Sequence, residues 1–139
     1  MGTRQSEGSG CEFAAERELI TRWIDTFNAR DLEGMLSCAS PSISFQPLRL
    51  HGIERTYSGH EGMAHWLERL LHLGLDYQVK LEKVSTPAAG TVVATGRLDL
   101  DGLTTAAPVW GVYTIEDGLI IVARHYLGDA ELAEKFTAQ

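Results

Sequence analysis

The stretch "VWGVYTIEDGLIIVARHYL", Val109 to Leu127, decides the fold prediction. Two runs rich in β-branched and aromatic residues flank Asp117-Gly118, and an Asp-Gly pair in that setting is the strongest short-range signal for a β-hairpin. Asp101-Gly102 links the run "TVVATGRLDL" to this hairpin, and "LDYQVKLEK" before it alternates apolar and polar residues with period two. The second half of the chain therefore predicts a meander of long antiparallel strands.

The first half of the chain has helical periodicity instead. From about Phe13, apolar residues recur at steps of one, three and four, and Asp31 can cap a short second helix, "LEGMLSC". A brief strand, "SISFQP", follows. Ser58 and Glu61 then form a capping box for a third helix that ends near Gly74. Helices followed by a strand meander predict an α+β fold in which the helices cover one face of a curved antiparallel sheet.

Length and composition narrow the classes of protein. The 139 residues are predicted to form one domain, residues 13–139, after a disordered tail rich in Gly and Ser, residues 1–12. A net charge of −7 argues against nucleic acid or an anionic membrane surface as a partner. No apolar run approaches the roughly 20 residues that span a bilayer. Cys11 and Cys38 make no disulfide framework, which favours a reduced, cytoplasmic chain.

Three stretches and the order of the elements resemble the nuclear transport factor two-like superfamily: "RWIDTFNARDLEGML", "YSGHEGMAHWLERL" and "VWGVYTIEDGLIIVARHYL". That superfamily includes SnoaL-like polyketide cyclases, ketosteroid isomerases and limonene epoxide hydrolases. The resemblance implies a cone whose hollow holds a small apolar or polycyclic molecule, with no bound cofactor. It also implies a homodimer through the outer face of the sheet, where the strand pattern would place Tyr113, Ile115, Ile120 and Val122.

Ketosteroid isomerases combine a tyrosine, an aspartate base and a protonated aspartic acid, so that one group takes a proton and two donors hold the enolate oxygen. In the resemblance, the tyrosine position falls at Trp23, the base at Gln46 and the acid at Trp110. The two indoles can donate hydrogen bonds, but Gln46 cannot take a proton. The resemblance therefore does not extend to that chemistry.

Limonene epoxide hydrolases use Arg-x-Asp on one strand and a further Asp on the last strand. One carboxylate activates water, the other protonates the epoxide oxygen, and the arginine links them. Arg97 and Asp99 resemble that motif, and the last-strand position falls at His125. Ser44 or Gln46 could help to hold the water. An epoxide hydrolase-like site of Arg97, Asp99 and His125 is therefore one hypothesis.

The two Asp-Gly turns set a strand register that separates these residues. With two-residue turns, the predicted pairs are Arg97 with Ala106, Val93 with Trp110, and Trp110 with His125. Arg97 then lies four residues from His125 along the strands. At about 3.3 Å per residue and about 4.8 Å between strands, the separation is on the order of 16 Å. Only a bulge, for example at Gly96 or Pro108, would change that register.

The same register predicts which side chains share the concave face: Val93, Thr95, Arg97, Asp99, Trp110, Val112, Ala123 and His125. His125 is the titratable residue expected deepest on this face, and it is the candidate general acid or base. Arg97 and Asp99 are expected nearer the mouth. The predicted ligand-binding residues are Trp23, Phe27, Gln46, Val93, Thr95, Trp110 and Val112.

Two further patterns predict no site. "HEGMAH" places His60 and His65 five residues apart, about 140° around a helix, so they cannot share a metal ion as an i, i+4 pair can. We therefore predict no metal site. Cys38 has no evident histidine partner and is expected to be a small buried residue.

Two functions stay open at this point. The first is a ligand-binding enzyme, an isomerase, cyclase or hydrolase, that uses His125. The second is a non-catalytic binding or assembly domain, which would have a filled or shallow cavity and an exposed apolar patch.

Overall fold

Three helices precede most of the sheet in the computed structural model, which describes residues 2–48, 55–100 and 103–128, with side chains from residue 14 onward except at 100 and 103–107. The helices are α1 (Gly2–Asn28), α2 (Leu32–Cys38) and α3 (Gly59–His72). The strands are β1 (Ala39–Gln46), β2 (Tyr57–Ser58), β3 (Tyr77–Ala88), β4 (Thr91–Leu100), β5 (Leu103–Glu116) and β6 (Leu119–Leu127). The predicted α+β order is confirmed.

One six-stranded sheet holds the strands in the order β2-β1-β6-β5-β4-β3. The last four strands form the predicted antiparallel meander, and β1 adds to it by pairing with β6 in parallel. Asp117 and Gly118 have φ angles of 53° and 76°, and Glu116 pairs with Leu119. Positive φ at both central residues is the type I′ turn that an Asp-Gly pair favours, because its twist matches that of the strands.

Helix α1 starts at Gly2, earlier than the predicted start near Phe13. Periodicity detects only the part of a helix that packs, and burial among the described side chains begins at Leu19. From there the predicted apolar face is buried: Leu19, Ile20, Trp23, Ile24 and Phe27. The division into a tail, residues 1–12, and one domain, residues 13–139, stays a prediction.

Aromatic side chains fill the space between the helices and the sheet. Phe45 of β1 meets Trp66 of α3 edge to face at 4.7 Å and Trp23 of α1 at 5.8 Å. Phe27 of α1 also stacks on the indole of Trp66, at 5.6 Å between ring centroids. Such pairs add roughly 0.5–1.5 kcal/mol beyond the area they bury, and they hold ring orientations. This aromatic layer joins α1, α3 and strand β1 of the sheet.

The predicted register of β4 and β5 holds only next to Asp101-Gly102, a predicted turn that lies outside the described residues. Asp99 pairs with Thr104, as predicted, but a bulge between Arg97 and Asp99 brings Arg97 opposite Pro108 instead of Ala106. Val93 consequently pairs with Val112 instead of Trp110. Proline has no N–H for the ladder, so it is tolerated in a sheet at an irregularity of this kind. The shift is even, so residues of β4 and β5 that were predicted to share a face with one another still do.

A second irregularity, between Thr114 and Ile115, shifts β5 against β6 by one residue. Trp110 therefore pairs with Tyr126, and His125 pairs with Gly111. A one-residue slip moves a side chain to the opposite face of a sheet. The prediction that Trp110 and His125 share the concave face is therefore wrong.

The outer face of the sheet carries a small apolar cluster that is separate from the main core. Its members are Val93, Trp110, Val112 and Tyr126. Tyr113 and Ile120, which were predicted to lie there, are 1% and 0% exposed within the main core, and Ile115 packs against that core. The predicted residues of the dimer face are thus wrong at these positions, whereas the homodimer itself stays a prediction.

Two residues, Asn28 at the end of α1 and Arg30 just after it, form hydrogen bonds with the free edge of β3 and the residues before it. The Asn28 amide donates to the Val79 carbonyl and accepts from the Val79 N–H, both at 2.9 Å, as a neighbouring strand would. Arg30 donates to the carbonyls of Leu75 and Tyr77. These contacts bond edge groups that could otherwise pair with another chain, and they fix α1 against the sheet.

Replacing Asn28 tests this connection. Asn28→Ala should lower the free energy of unfolding by about 1–3 kcal/mol, because two half-buried backbone groups lose their partner. Urea denaturation measures the change. Asp25→Ala, at an exposed position on the same helix, is the matched control and should stay within about 0.5 kcal/mol of the parent. Equal effects of the two substitutions would contradict the connection.

Candidate functional site

Two adjoining chambers lie between the helices and the inner face of the sheet. The first has about 40 Å³ of free volume, and its walls include Trp23, Phe27, Phe45, Trp66, Tyr77 and His125. The second has about 30 Å³, and its walls include Gly111, Tyr113 and His125. Ile24, Leu48, Val79 and His125 border both chambers. His125 therefore stands where the two spaces meet, deep on the inner face as predicted.

Both nitrogens of the His125 ring have hydrogen-bond partners. Nδ1 lies 2.8 Å from the Gln46 carbonyl oxygen of β1, and Nε2 lies 2.9 Å from the Tyr113 hydroxyl of β5. A carbonyl oxygen can only accept, so Nδ1 carries the proton. Nε2 of the neutral ring is then an acceptor, and the Tyr113 hydroxyl donates to it.

Partial burial keeps this imidazole neutral. Desolvation lowers the pKa of His125 from 6.5 to about 4, and the bond to the Gln46 carbonyl opposes that shift only in part. Burial also raises the pKa of Tyr113, while a hydrogen bond from the Trp23 indole opposes the rise. A neutral chain of donors therefore runs from Trp23 to Tyr113 to His125 and ends on the Gln46 backbone.

The glycine opposite His125 makes this chain possible. A Cβ at Gly111 would lie 2.6 Å from the Tyr113 hydroxyl oxygen and 2.8 Å from its ring carbon Cζ. The phenol therefore lies across the backbone of Gly111, where a methyl group would stand. This close approach directs the hydroxyl to the imidazole.

Arg97 and Asp99 do not join His125. Arg97 Nε lies 3.1 Å from Glu82 Oε2, in an exposed ion pair across β3 and β4. Arg97 pairs with Pro108, and Pro108 accepts from the N–H of Gly128, which follows His125 by three residues. Arg97 and His125 also lie on opposite faces of the sheet, whereas the sequence placed them on one face. The structure therefore does not assemble the Arg-Asp-His arrangement.

The predicted ligand-binding residues divide into four groups. Trp23 and Phe27 border the first chamber. Thr95 and Trp110 border the second, although their strand positions belong to the outer face. Val93 and Val112 lie in the outer cluster, so the prediction that they line the hollow is wrong. Gln46 contributes its backbone carbonyl to His125 rather than its side chain.

Sequence reasoning missed Tyr113, because the predicted register turned it outward. The sequence signal that could have located it is Gly111, a glycine two residues before a tyrosine within a strand, since strand glycines mark close approaches. Trp66 and Phe45 had no assigned role beyond packing.

Neither a metal centre nor a membrane helix is found within the described ranges. No three His, Cys, Asp or Glu side chains of residues 2–48, 55–100 and 103–128 come together as ligands. No helix in the same ranges is long and apolar enough to cross a membrane. His60 bonds the Ala39 carbonyl at 2.9 Å and so fixes α3 to β1. Cys38 is fully buried, as predicted.

The order of the elements agrees with a family comparison. Residues 20–123 match a SnoaL-like domain. The chain belongs to the SnoaL-like family. This confirms the resemblance to the nuclear transport factor two-like superfamily. A comparison with curated proteins gives no match.

Solved structures share the SnoaL-like fold at low sequence identity. TerC, crystallised with polyporic acid, aligns at a TM-score of 0.69 and 20% identity over 90% of this chain and 99% of TerC. Bal32a, from a soil-derived mobile gene cassette, aligns at 0.71 and 20% over 90% and 98%. A candidate SnoaL-like polyketide cyclase from Jannaschia sp. CCS1 aligns at 0.63 and 19% over 90% and 91%. At such identities the likeness establishes the fold alone.

The neutral imidazole predicts a pH dependence of stability. Between pH 6.5 and about 4 the unfolded chain binds a proton at His125 that the folded chain does not bind. Stability from this residue is therefore complete above pH 6.5 and falls as the pH drops to about 4, by about 3 kcal/mol in all.

His125→Asn isolates this contribution, because asparagine does not titrate. The difference in unfolding free energy between parent and variant should shrink by about 3 kcal/mol from pH 7 to pH 4, measured by urea denaturation. Carboxylates titrate equally in both proteins and cancel. A constant difference, or an NMR-measured pKa near 6.5 for His125, would refute the neutral buried ring.

Proposed function

We propose that the chain binds a small, neutral, mostly apolar molecule in the two chambers beside His125. The chemistry of the walls carries this proposal. Among the described residues that border the first chamber, all are aromatic or aliphatic except His125, whose pKa of about 4 leaves it uncharged at pH 7. A charged ligand would lose its hydration there without gaining a counter-charge.

Relatives of the same fold support a small-molecule ligand. TerC was crystallised together with polyporic acid, and other matched structures are described as candidate polyketide cyclases or a candidate ketosteroid isomerase. Concave apolar sites with few polar groups are the usual form of small-molecule sites. The particular molecule is not defined by that likeness.

The free volume favours a ligand of one ring. About 40 Å³ and 30 Å³ hold a few water molecules, so a ring enters only if wall side chains move. Val79 borders both chambers and is only half-buried. A polycyclic ligand, as the superfamily resemblance implied, would need a larger opening, and that expectation stays a prediction.

Acetophenone is a suitable first probe, since it is neutral, planar and of one ring. At ten times its Kd it should stabilise the fold by about 1.4 kcal/mol and raise the Tm by roughly 3–6 °C in a thermal-shift measurement. Val79→Phe should abolish this rise by filling the shared wall. Val112→Phe, the same change on the outer face, is the matched control and should retain it.

A rise that Val79→Phe leaves intact would place binding elsewhere on the protein. The absence of any rise with the parent protein would reject the proposal.

A second candidate function, proton transfer on the bound ligand, is favoured by the Tyr113–His125 bond at the second chamber. A proton from carbon beside a ligand carbonyl would pass to the Tyr113 oxygen while the Tyr113 proton passes to His125 Nε2. The imidazolium would keep its Nδ1–H on the Gln46 carbonyl. In this form His125 is the acid or base, as the sequence predicted, and Tyr113 transmits the proton.

Exchange of the acetophenone methyl protons in D₂O, followed by NMR, tests proton transfer. The parent protein should accelerate exchange over buffer, and Tyr113→Phe and His125→Asn should each reduce that acceleration by about 10²-fold. Tyr126→Phe, at a strand tyrosine of the outer face, is the control and should leave exchange unchanged. Binding without acceleration would identify a non-catalytic binding protein.

A further inference from the structure

We propose that the indole N–H of Trp66 anchors the ligand by donating a hydrogen bond to a carbonyl oxygen in the first chamber. This inference rests on the proposed function and names the ligand class: neutral, planar, apolar compounds with one carbonyl acceptor. It also gives α3 a direct role in recognition. Among the described residues, α3 contributes no titratable side chain to the chamber walls.

The Trp66 indole nitrogen is an unmet donor. Trp66 is 2% exposed, and its Nε1 atom is buried with no hydrogen-bond partner among the described residues. Buried N–H groups nearly always have a partner, and leaving one without a partner costs about 1–3 kcal/mol. A ligand that supplies an acceptor would recover that cost.

Trp23, which also borders the first chamber, shows the contrast. Its Nε1 is not among the buried polar atoms without a partner in the described residues, and its interaction with the Tyr113 hydroxyl opposes the rise in the pKa of that phenol. Among the described residues of the first chamber, Trp66 carries the one buried donor left without a partner. The two tryptophans therefore differ in role: Trp23 supports the Tyr113–His125 pair, and Trp66 faces a space that a ligand can fill.

The orientation of the Trp66 ring is fixed without hydrogen bonds. Phe45 packs against it edge to face at 4.7 Å, and Phe27 stacks on it at 5.6 Å and 25°. Neither ring offers a lone pair in its plane, so both hold the indole in place and leave the N–H unmet. A donor held in this way is preorganised, which reduces the entropy lost on binding.

The surroundings of Trp66 select a neutral acceptor over an anion. Arg30 stands over the Phe27 ring at 4.5 Å, but its guanidinium donates to the backbone carbonyls of Phe27, Leu75 and Tyr77. Both terminal nitrogens of the Arg30 guanidinium, Nη1 and Nη2, thus already donate hydrogen bonds to backbone oxygens. A carboxylate in the chamber would meet aromatic rings and one N–H, which is too little to replace its hydration.

Two isosteric probes isolate the hydrogen bond. Acetophenone and α-methylstyrene have the same shape, but the first has a carbonyl oxygen where the second has a methylene carbon. Acetophenone should bind about fivefold more tightly than α-methylstyrene. In ¹⁵N–¹H NMR spectra, saturation with acetophenone should move the Trp66 indole proton downfield, whereas α-methylstyrene should leave it close to its ligand-free position.

Trp66→Phe removes the N–H and keeps an aromatic wall. In this variant the affinity ratio of the two probes should fall to about one. Tyr126→Phe, which changes a side chain of the outer cluster that borders neither chamber, is the control and should keep the ratio of the parent protein. Trp66→Phe also assigns the Trp66 indole signal, and the probe comparison on the parent protein decides the question if this variant does not fold.

The outcomes separate this inference from the proposed function. If both probes bind with equal affinity and Val79→Phe blocks both, the ligand site stands and the role of Trp66 is refuted. If neither probe binds, the proposed function and this inference are both refuted. Tighter binding of acetophenone that Trp66→Phe leaves unchanged would assign the acceptor contact to another donor and refute the inference.

Discussion

The hydrogen bond from His125 Nδ1 to the Gln46 carbonyl is the contact on which the site depends. It joins β6 to β1, which pair in parallel, and it selects which ring nitrogen holds the proton. The tautomer in turn makes Nε2 an acceptor and so fixes the direction of the Tyr113 hydroxyl. A backbone atom, which substitution does not remove, thereby sets the electrostatic state of a side chain.

The two halves of the chain meet in this arrangement. The first half supplies Trp23, Phe45 and the Gln46 carbonyl, and the second supplies Tyr113 and His125. The aromatic layer holds both halves together, and the contacts of Asn28 and Arg30 with β3 keep α1 at a fixed distance from the sheet. Because the chamber walls are also the core, interactions that stabilise the fold and interactions that shape the site cannot be separated.

The sequence was sufficient for the fold, since the relevant signals are local. Asp117-Gly118 adopts its predicted turn, Asp31 caps α2 through a 3.1 Å bond to the Gly34 N–H, and the apolar face of α1 is buried. The predicted start of α1 was late because residues 2–12 are mostly glycine and polar residues, which carry no apolar period in the sequence.

The site was harder to predict, because it depends on register far from the turns. Turn geometry fixes strand pairs only up to the next irregularity, and the one between Thr114 and Ile115 reversed the faces of Trp110 and Tyr113. His125 was placed correctly on the inner face, yet its partner Tyr113 was assigned to the outer face of the sheet. Pro108 marked one irregularity in the sequence, whereas no residue pattern announced the other.

The close approach at Gly111 has an evolutionary consequence. One methyl group there would displace the phenol from above the backbone and leave the imidazole with an open nitrogen toward the cavity. A single codon change thus separates a histidine capped by a phenol from one that faces the cavity directly. Divergence among proteins of this architecture can therefore proceed through the smallest residue of the strand as readily as through any ionisable one.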